Sequence, residues 1–415
     1  MSVALKTKPL KRLTGINRAV LPESTPEDYE IEYVDISNVS GMGKILGSET
    51  LLFGKAPSRA RRIAREGDTI VSTVRTYLRA ITSIQNPPPN LVVSTGFATL
   101  TPGSELDGSY FSYLAKTEQF IHDVVSRSTG VSYPAITPTE LGNILISYPP
   151  LPAQRRIAAY LDQETAQIDT LVAEKQALLK LLEEKRASLI SHAVTRGLNP
   201  KAKLKPSGIP WLGDVPVHWE VLPLKRLTTT IKTGTTPNTD DVTVEGDFDW
   251  YTPGDFGQEI HLSPSKRRIF RDSASFDSLR IFPAGTILFV GIGATLGKCS
   301  VSQTDCSANQ QINAIVPTPE TNSTFLCLSL RAQAEGIRLM ANASTIGILN
   351  QERTSAIPIA VPSPDEQHAI AAECMRISSA TETVLSDIKI SIRLLREKRS
   401  SLISAAVTGE MEVSY

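Results

Sequence analysis

Cysteine is scarce in this 415-residue chain, and the four present, Cys299, Cys306, Cys327 and Cys374, all fall in the second half without a CxxC pair. That spacing argues against a disulfide framework or a structural zinc site and predicts ordinary thiols in a reducing cytoplasm. The five histidines, His122, His192, His218, His261 and His368, are scattered with no HExxH spacing, so they are expected to hold no metal. No apolar run is long enough to span a bilayer, which needs about eighteen residues, and no membrane partner is expected. The basic segment Met1 to Leu13 lacks the apolar stretch of a signal peptide. Charge of either sign is not in excess, since 43 basic residues balance 43 acidic ones. Phosphate neutralisation dominates nucleic-acid affinity, so neutrality counts against a solitary nucleic-acid binder. It leaves room for local basic patches, or for a partner that supplies the positive surface.

Signatures of catalysis are also missing. Asn86-Pro87-Pro88-Pro89 resembles an amino-methyltransferase loop, but Pro89 stands where an aromatic ring would stack the target base. Phe289-Val290-Gly291-Ile292-Gly293 lacks the following helix and downstream acid of a nucleotide-binding fold. Pro364-Asp365-Glu366-Gln367 has no lysine companion of the kind a nuclease carboxylate set uses, and no Walker-type loop occurs. The chain is expected to be non-catalytic and to carry no cofactor of its own.

What is present is a repeat. Gln154 to Thr195 aligns without a gap on Gln367 to Thr408, with 17 of 42 positions identical at a constant offset of 213. Pro9-Leu10-Lys11-Arg12-Leu13-Thr14 recurs as Pro223-Leu224-Lys225-Arg226-Leu227-Thr228. The duplicated unit is a globular domain followed by one long helix. Two copies are too few for a solenoid and point instead to a pseudo-twofold molecule suited to a two-part target.

From about Ala153 to Thr195 the chain contains neither proline nor glycine and is rich in strong helix formers, with prolines before it and Gly197 and Pro200 after. Leu161, Ile168, Leu182 and Leu189, with Leu171 and Leu178, form a heptad-like stripe interrupted by Lys175 and Lys185. The second helix places Ile377, Val384, Ile388, Leu395 and Leu402 along its own stripe. These patterns predict that the two helices pack as an antiparallel coiled coil. The expected layout is α+β: a strand-rich domain over 1–152, a long helix over 153–200, a second strand-rich domain over 201–363, and a long helix over 364–410.

Both globular halves carry short apolar runs, such as Thr69-Ile70-Val71-Ser72 and Thr286-Ile287-Leu288-Phe289-Val290, separated by turn formers. Both also carry a basic stretch, Pro57-Ser58-Arg59-Ala60-Arg61-Arg62-Ile63-Ala64-Arg65 and Pro264-Ser265-Lys266-Arg267-Arg268-Ile269-Phe270-Arg271, read as occupying corresponding places. The candidate DNA-binding set is Arg59, Arg61, Arg62, Arg65, Arg75, Tyr77 and Arg79 in the first half. In the second it is Lys266, Arg267, Arg268 and Arg271, with Asn309, Gln310 and Gln311 as amides able to match an adenine edge.

With these features assembled, the chain resembles the specificity (S) subunits of type I restriction–modification systems over nearly its full length. The carriers are Pro149-Pro150-Leu151-Pro152-Ala153-Gln154-Arg155-Arg156-Ile157-Ala158, the helix end Glu184-Lys185-Arg186 with its second copy Glu397-Lys398-Arg399, and Ile209-Pro210-Trp211-Leu212-Gly213-Asp214 running on to His218-Trp219-Glu220. Two departures stand out. The first domain lacks the Trp-Leu-Gly lead-in, and an acidic pair, Asp365-Glu366, precedes Gln367 but not Gln154. The resemblance implies two target-recognition domains, each reading one half of a split double-stranded DNA site, with the helices as a ruler between them. It also implies docking of two methyltransferase (M) subunits that bind S-adenosylmethionine, and of restriction (R) motor–nuclease subunits, in the cytoplasm. The expected docking residues are Gln154, Ile157, Lys185, Arg186 and Leu189, with Gln367, Ile370, Lys398, Arg399 and Leu402. The alternative is a coiled-coil scaffold with two modules that bind something other than DNA.

Overall fold

The computed structural model describes residues 5–41, 43–341 and 347–411, so the first four residues of the basic N-terminal segment lie outside it. The chain divides into two units, 1–176 with 389–415, and 177–388. Each unit holds one strand-rich domain and a stretch of both long helices.

In the first unit the order is β1 (Lys6–Pro9), α1 (Leu10–Leu13), β2 (Thr14–Ile16), β3 (Glu30–Val34), β4 (Glu49–Leu52), β5 (Ala60–Ile63), β6 (Thr69–Ser72), β7 (Ile81–Ser83), β8 (Leu91–Ser94) and β9 (Phe97–Pro102). Helices α2 (Gly108–Leu114), α3 (Glu118–Ser126) and α4 (Pro138–Gly142), strand β10 (Leu145–Tyr148) and the long helix α5 (Leu151–Arg196) follow. The strands form sheets ordered β2-β9-β6-β7 and β4-β3-β8-β5, and β1 pairs with β10. The β-branched run of β6 explains how two layers share one strand. Period-two alternation sends Val71 toward Tyr110 and Phe111 of α2, and Ile70 toward Val34, Val93 and Phe97.

The second unit continues with β11 (Leu204–Pro206), β12 (Asp214–Pro216), β13 (Glu220–Pro223), β14 (Thr228–Thr233), β15 (Phe248–Tyr251), β16 (Arg268–Ile269), β17 (Ile287–Val290), β18 (Cys299–Val301), β19 (Ser307–Ala308) and β20 (Ile312–Pro317). Then come α6 (Ser323–Ala332), α7 (Ala334–Ala341), α8 (Gln351–Ser355), β21 (Pro358–Val361) and the long helix α9 (Pro364–Thr408). Sheet β14-β20-β17-β18 repeats β2-β9-β6-β7, and β13-β21 repeats β1-β10. Sheet β16-β15-β19 repeats β4-β3-β8, with the parallel β15–β19 pair standing for β3–β8. Where β5 would lie, the second domain has a single bridge between Phe282 and Cys306. The same alternation recurs in β17: Ile287 and Phe289 face α6, while Leu288 and Val290 face the other layer. The α+β reading with two strand-rich domains therefore holds, and the duplication extends to strand order.

Each long helix is fastened to its domain by a buried glutamine. The Gln154 side chain accepts from the Asp107 amide at 2.8 Å and donates to the carbonyls of Glu105 and Pro149 at 3.0 and 2.8 Å. Gln367, 213 positions on, accepts from the Asn322 amide at 3.0 Å and donates to Pro362 at 3.1 Å. Asp107 and Asn322 are the N-caps of α2 and α6, so the same polar clip ties the same two helices in both domains.

Along α5, positions 161, 165, 168, 172, 175, 179, 182 and 186 are buried or half-buried, and α9 repeats that set from 374 to 399. The steps alternate between four and three, the spacing of a heptad seam. Leu171, Leu178 and Leu189, assigned to the stripe from sequence, are 44% exposed, and Val384 is 45% exposed. Thr165, Val172 and Lys175 hold the inward places instead. Within the first unit, Ala158 and Leu161 share a cluster with Ile403, Ala406 and Val407. There the Arg399 guanidinium grips Asp169 with two hydrogen bonds of 2.9 and 3.2 Å. Within the second, Ala193 and Val194 cluster with Ile370, Ala371 and Cys374, and Arg186 meets Glu382 at 3.2 Å. Low positions of α5 meet high positions of α9 in the first unit and the reverse holds in the second, so the local direction is antiparallel in both. The two ion pairs are one interaction used twice, because Arg186 and Arg399, and Asp169 and Glu382, each stand 213 apart.

The two departures noted from sequence explain each other. Glu366 accepts from the buried Trp219 indole at 3.1 Å and meets His218 at 3.0 Å, so this acid in the first turn of α9 is the partner of the lead-in segment. Trp219 lies edge-on to Phe325 at 6.5 Å, and Trp211 bonds Gln333 at 3.2 Å. In the first domain Tyr110 replaces Phe325 and closes the gap with its own hydroxyl, which donates to the Val407 carbonyl at 3.3 Å.

Two outcomes follow from these contacts. Gln154→Ala strands an amide and two carbonyls in the interior and should lower unfolding stability by about 2 kcal/mol, read from denaturant midpoints. Glu366→Ala should cost about 1 kcal/mol and shift the emission of buried tryptophan to longer wavelength, while Gln154→Ala leaves that emission unchanged.

Candidate nucleic-acid interface

The hairpin β6–β7 is closed by residues 73–79, whose backbone is held by bonds from the Leu78 amide to the Arg75 carbonyl at 2.8 Å and from the Arg75 amide to Pro134 at 2.8 Å. The second bond docks this turn against the segment 127–136, which also bridges Val74 to Ala135. The Thr76 and Ser128 hydroxyls, 3.0 Å apart, add a further tie. The Arg75 guanidinium lies 4.7 Å over the Tyr133 ring, and Arg79 pairs with Glu118. Tyr77 is 54% exposed and Tyr133 64%, and Val131 is fully exposed. Sequence reasoning missed Val131 and Tyr133. The signal available was the turn-rich string Ser128-Thr129-Gly130-Val131-Ser132-Tyr133-Pro134, with Gly130 at φ +108° permitting the reversal.

The first basic stretch is split along β5. The Arg59 carbonyl receives the Thr95 amide at 2.8 Å, and the Thr73 amide bonds Gly96 at 2.8 Å, so exposed Arg59 lies toward the same end of the domain as the 73–79 turn. Arg61 stacks 4.4 Å over Phe53. Arg62 is half-buried with its Nε unpartnered, and burial pulls its pKa down. Arg65 sits at the opposite end of β6, where its amide bonds Asp68 at 2.9 Å. Arg59, Arg75 and Tyr77 thus gather at one end, while Arg61, Arg62 and Arg65 do not.

In the second domain the basic stretch does not occupy the matching place expected from sequence. Arg268–Ile269 pairs with β15, the position of β4, whereas Ala60–Ile63 pairs with β8 at the opposite edge of its sheet. The two strings share composition, not location. Arg268 is held by Asp249 at 3.0 Å, Arg267 donates to the Thr252 hydroxyl at 3.1 Å, and Arg271 sits 4.8 Å over Phe248. Lys266 is exposed. The amides fare better. The Gln311 carbonyl receives the Gly291 amide at 2.8 Å, so Gln310 and Gln311 flank the 291–297 turn that corresponds to 73–79. Asn309 and Gln311 are joined to each other, Asn309 Nδ2 donating to Gln311 Oε1 at 3.1 Å, and Gln310 is exposed.

On the long helices, Gln154, Gln367 and Ile370 are buried within their own domains, so none of these three faces a partner, and Ile157 is half-buried against the first core. Leu402 packs half-buried on that same core. Arg186 and Arg399 are engaged in the ion pairs described above. Lys185, Leu189 and Lys398 are exposed. Near the Arg399–Asp169 pair, burial and then the Arg399 charge push the Lys116 ammonium down to about 8.

All four cysteines are free and buried, and no metal-ligating cluster occurs among the described residues. No helix among the described residues is long and apolar enough to cross a membrane.

Residues 29–181 and 216–392 match the family described as the type I restriction modification DNA specificity domain. The HindI specificity subunit of Haemophilus influenzae is 24% identical, with 86% of this chain and 89% of that protein covered. The MjaIX specificity subunit of Methanocaldococcus jannaschii is 30% identical over 165 residues, covering 39% of this chain and only 38% of its own. Among solved structures, a chain from a study of complex assembly and conformational transition in a type I R-M system aligns with a TM-score of 0.78 at 21% identity, covering 99% of this chain and all of that one. The HsdS subunit of Thermoanaerobacter tengcongensis aligns at 0.53 and 21% identity over 98% of this chain and 97% of its own. At such identity these likenesses speak to the fold alone. With most of its length matched in two segments, this chain belongs to the type I restriction–modification DNA specificity family.

Proposed function

We propose that this chain is the non-catalytic DNA-reading subunit of a type I restriction–modification complex, with each strand-rich domain reading one half of a bipartite, asymmetric duplex site. The observation that carries the reading is the paired construction: the same strand order twice, each copy clipped to a long helix by a buried glutamine, with different side chains on the same turn. Like scaffolds with unlike tips suit unlike half-sites.

The long helices act as the spacer, packed as an antiparallel coiled coil, and their outward faces receive two methyltransferase subunits. The exposed Leu171, Leu178, Lys185 and Leu189, with Val384 and Lys398, are the surface available for that docking. Those partners bind S-adenosylmethionine and methylate adenine, and motor–nuclease subunits join for cleavage. The partners also supply positive surface, which reconciles a neutral chain with phosphate binding.

Inserting four residues at equivalent points of both helices lengthens each by about 6 Å. At roughly 3.4 Å per base pair the gap between half-sites should grow by one or two pairs with the half-sites unchanged. Methylome sequencing reads this directly, and an unaltered gap refutes the spacer role. In a second test, Arg59→Ala should lower the slope of log affinity against log salt by about one. Arg268→Ala should leave the slope intact and instead reduce stability by about 2 kcal/mol, because Asp249 loses its partner.

A further inference from the structure

The turn that closes β6–β7 in the first domain and the turn that closes β17–β18 in the second have the same length and share several backbone features. Ser72 bonds across to Ala80, and Val290 to Lys298, leaving residues 73–79 and 291–297 as the loops. In both, the third loop residue accepts a bond from the amide three positions on, Arg75 from Leu78 and Gly293 from Leu296. In both, the third and seventh loop residues lie in the left-handed region: Gly293 at φ +99° and Gly297 at φ +90°, against Arg75 at φ +50° and Arg79 at φ +56°. Glycine is the residue that fits such positions, because any Cβ there crowds the following carbonyl. The second domain uses glycine at both. The first uses arginine at both, and among the described residues every other non-glycine at positive φ is an asparagine, which tolerates the conformation.

A backbone strain accepted twice in one turn implies that the side chains are needed there. Their surroundings assign them different tasks. Arg79 is committed to Glu118 and braces the turn against α3. The exposed Arg75 guanidinium has only the Tyr133 ring beneath it, with no hydrogen-bond partner for its N–H groups among the described residues. The ring beneath it limits the orientations of the fork while the side chain stays exposed, and Val131, two residues before Tyr133, is fully exposed.

We infer that Arg75 is the base-reading residue of the first domain, presented by Tyr133 to the O6 and N7 acceptors of a guanine in the major groove, with Val131 against the neighbouring base. Arg79 is the positioning residue that holds the turn for it. The second domain, with glycines in these places, reads through Gln310 and Gln311 beside its turn. This inference rests on the reading of the chain as a DNA-specificity subunit.

The test uses the complete chain assembled with its methyltransferase subunits, and compares wild type with Arg75→Gly and Arg75→Lys by methylome sequencing and by binding to duplexes altered one base at a time. Arg75→Gly relieves the strained backbone, so its thermal midpoint should equal or exceed that of wild type. Discrimination at one guanine of the first half-site should fall by about 5- to 150-fold, the loss of one bidentate contact, with the second half-site read as before. Arg75→Lys keeps the charge but not the fork, and should lose the same discrimination while keeping its salt dependence. If Arg75→Gly weakens binding to all sequences alike and no base preference changes, Arg75 is a phosphate contact and the inference is overturned. If wild type itself shows no two-part site, it is the assignment as a specificity subunit that falls.

Discussion

The spacer role proposed for the long helices requires that the domain at the end of each cannot swivel, and a buried glutamine meets that requirement. Gln154 and Gln367 each reach from the first turn of a long helix to the N-cap residue of a short domain helix. Because the amide is cut off from water, releasing it would leave backbone donors and acceptors unpaired, which makes the clip far stiffer than its small size implies.

The helices themselves carry the second constraint. Their inward positions repeat at heptad spacing, and one arginine–carboxylate pair recurs at equivalent places, Arg186 with Glu382 and Arg399 with Asp169. A charged pair at a seam contributes modestly to stability but penalises a slipped register, since any shift would set each arginine against an unmatched neighbour. Duplicating the pair gives both copies the same register. The loss of symmetry is local: Trp219 and Glu366 serve the second domain, and Tyr110 does the same packing alone in the first.

The parts legible in the sequence were those governed by local physics. Two long helices, their limits and the strand-rich character of the domains followed from proline and glycine placement and from runs such as Thr69 to Ser72. The inward face of the helices was read only in part, because Thr165, Lys175 and Arg186 occupy seam positions with polar ends or long stems, while Leu171 and Leu178 sit outside. Strand order was not legible, since it depends on pairings between distant short strands. For the same reason two similar basic strings looked equivalent when they lie on opposite edges. The conformation of Arg75 was hidden entirely, because a left-handed arginine is imposed by the surrounding hairpin and leaves no trace in composition.

The proposed function requires one scaffold, used twice, to read two different sequences. Methylome sequencing of cells carrying this chain with its methyltransferase subunits tests that directly. The predicted result is methylation within a site of two unlike half-sites separated by a fixed gap of unspecified bases. A single contiguous motif, or a palindrome with identical halves, would contradict it.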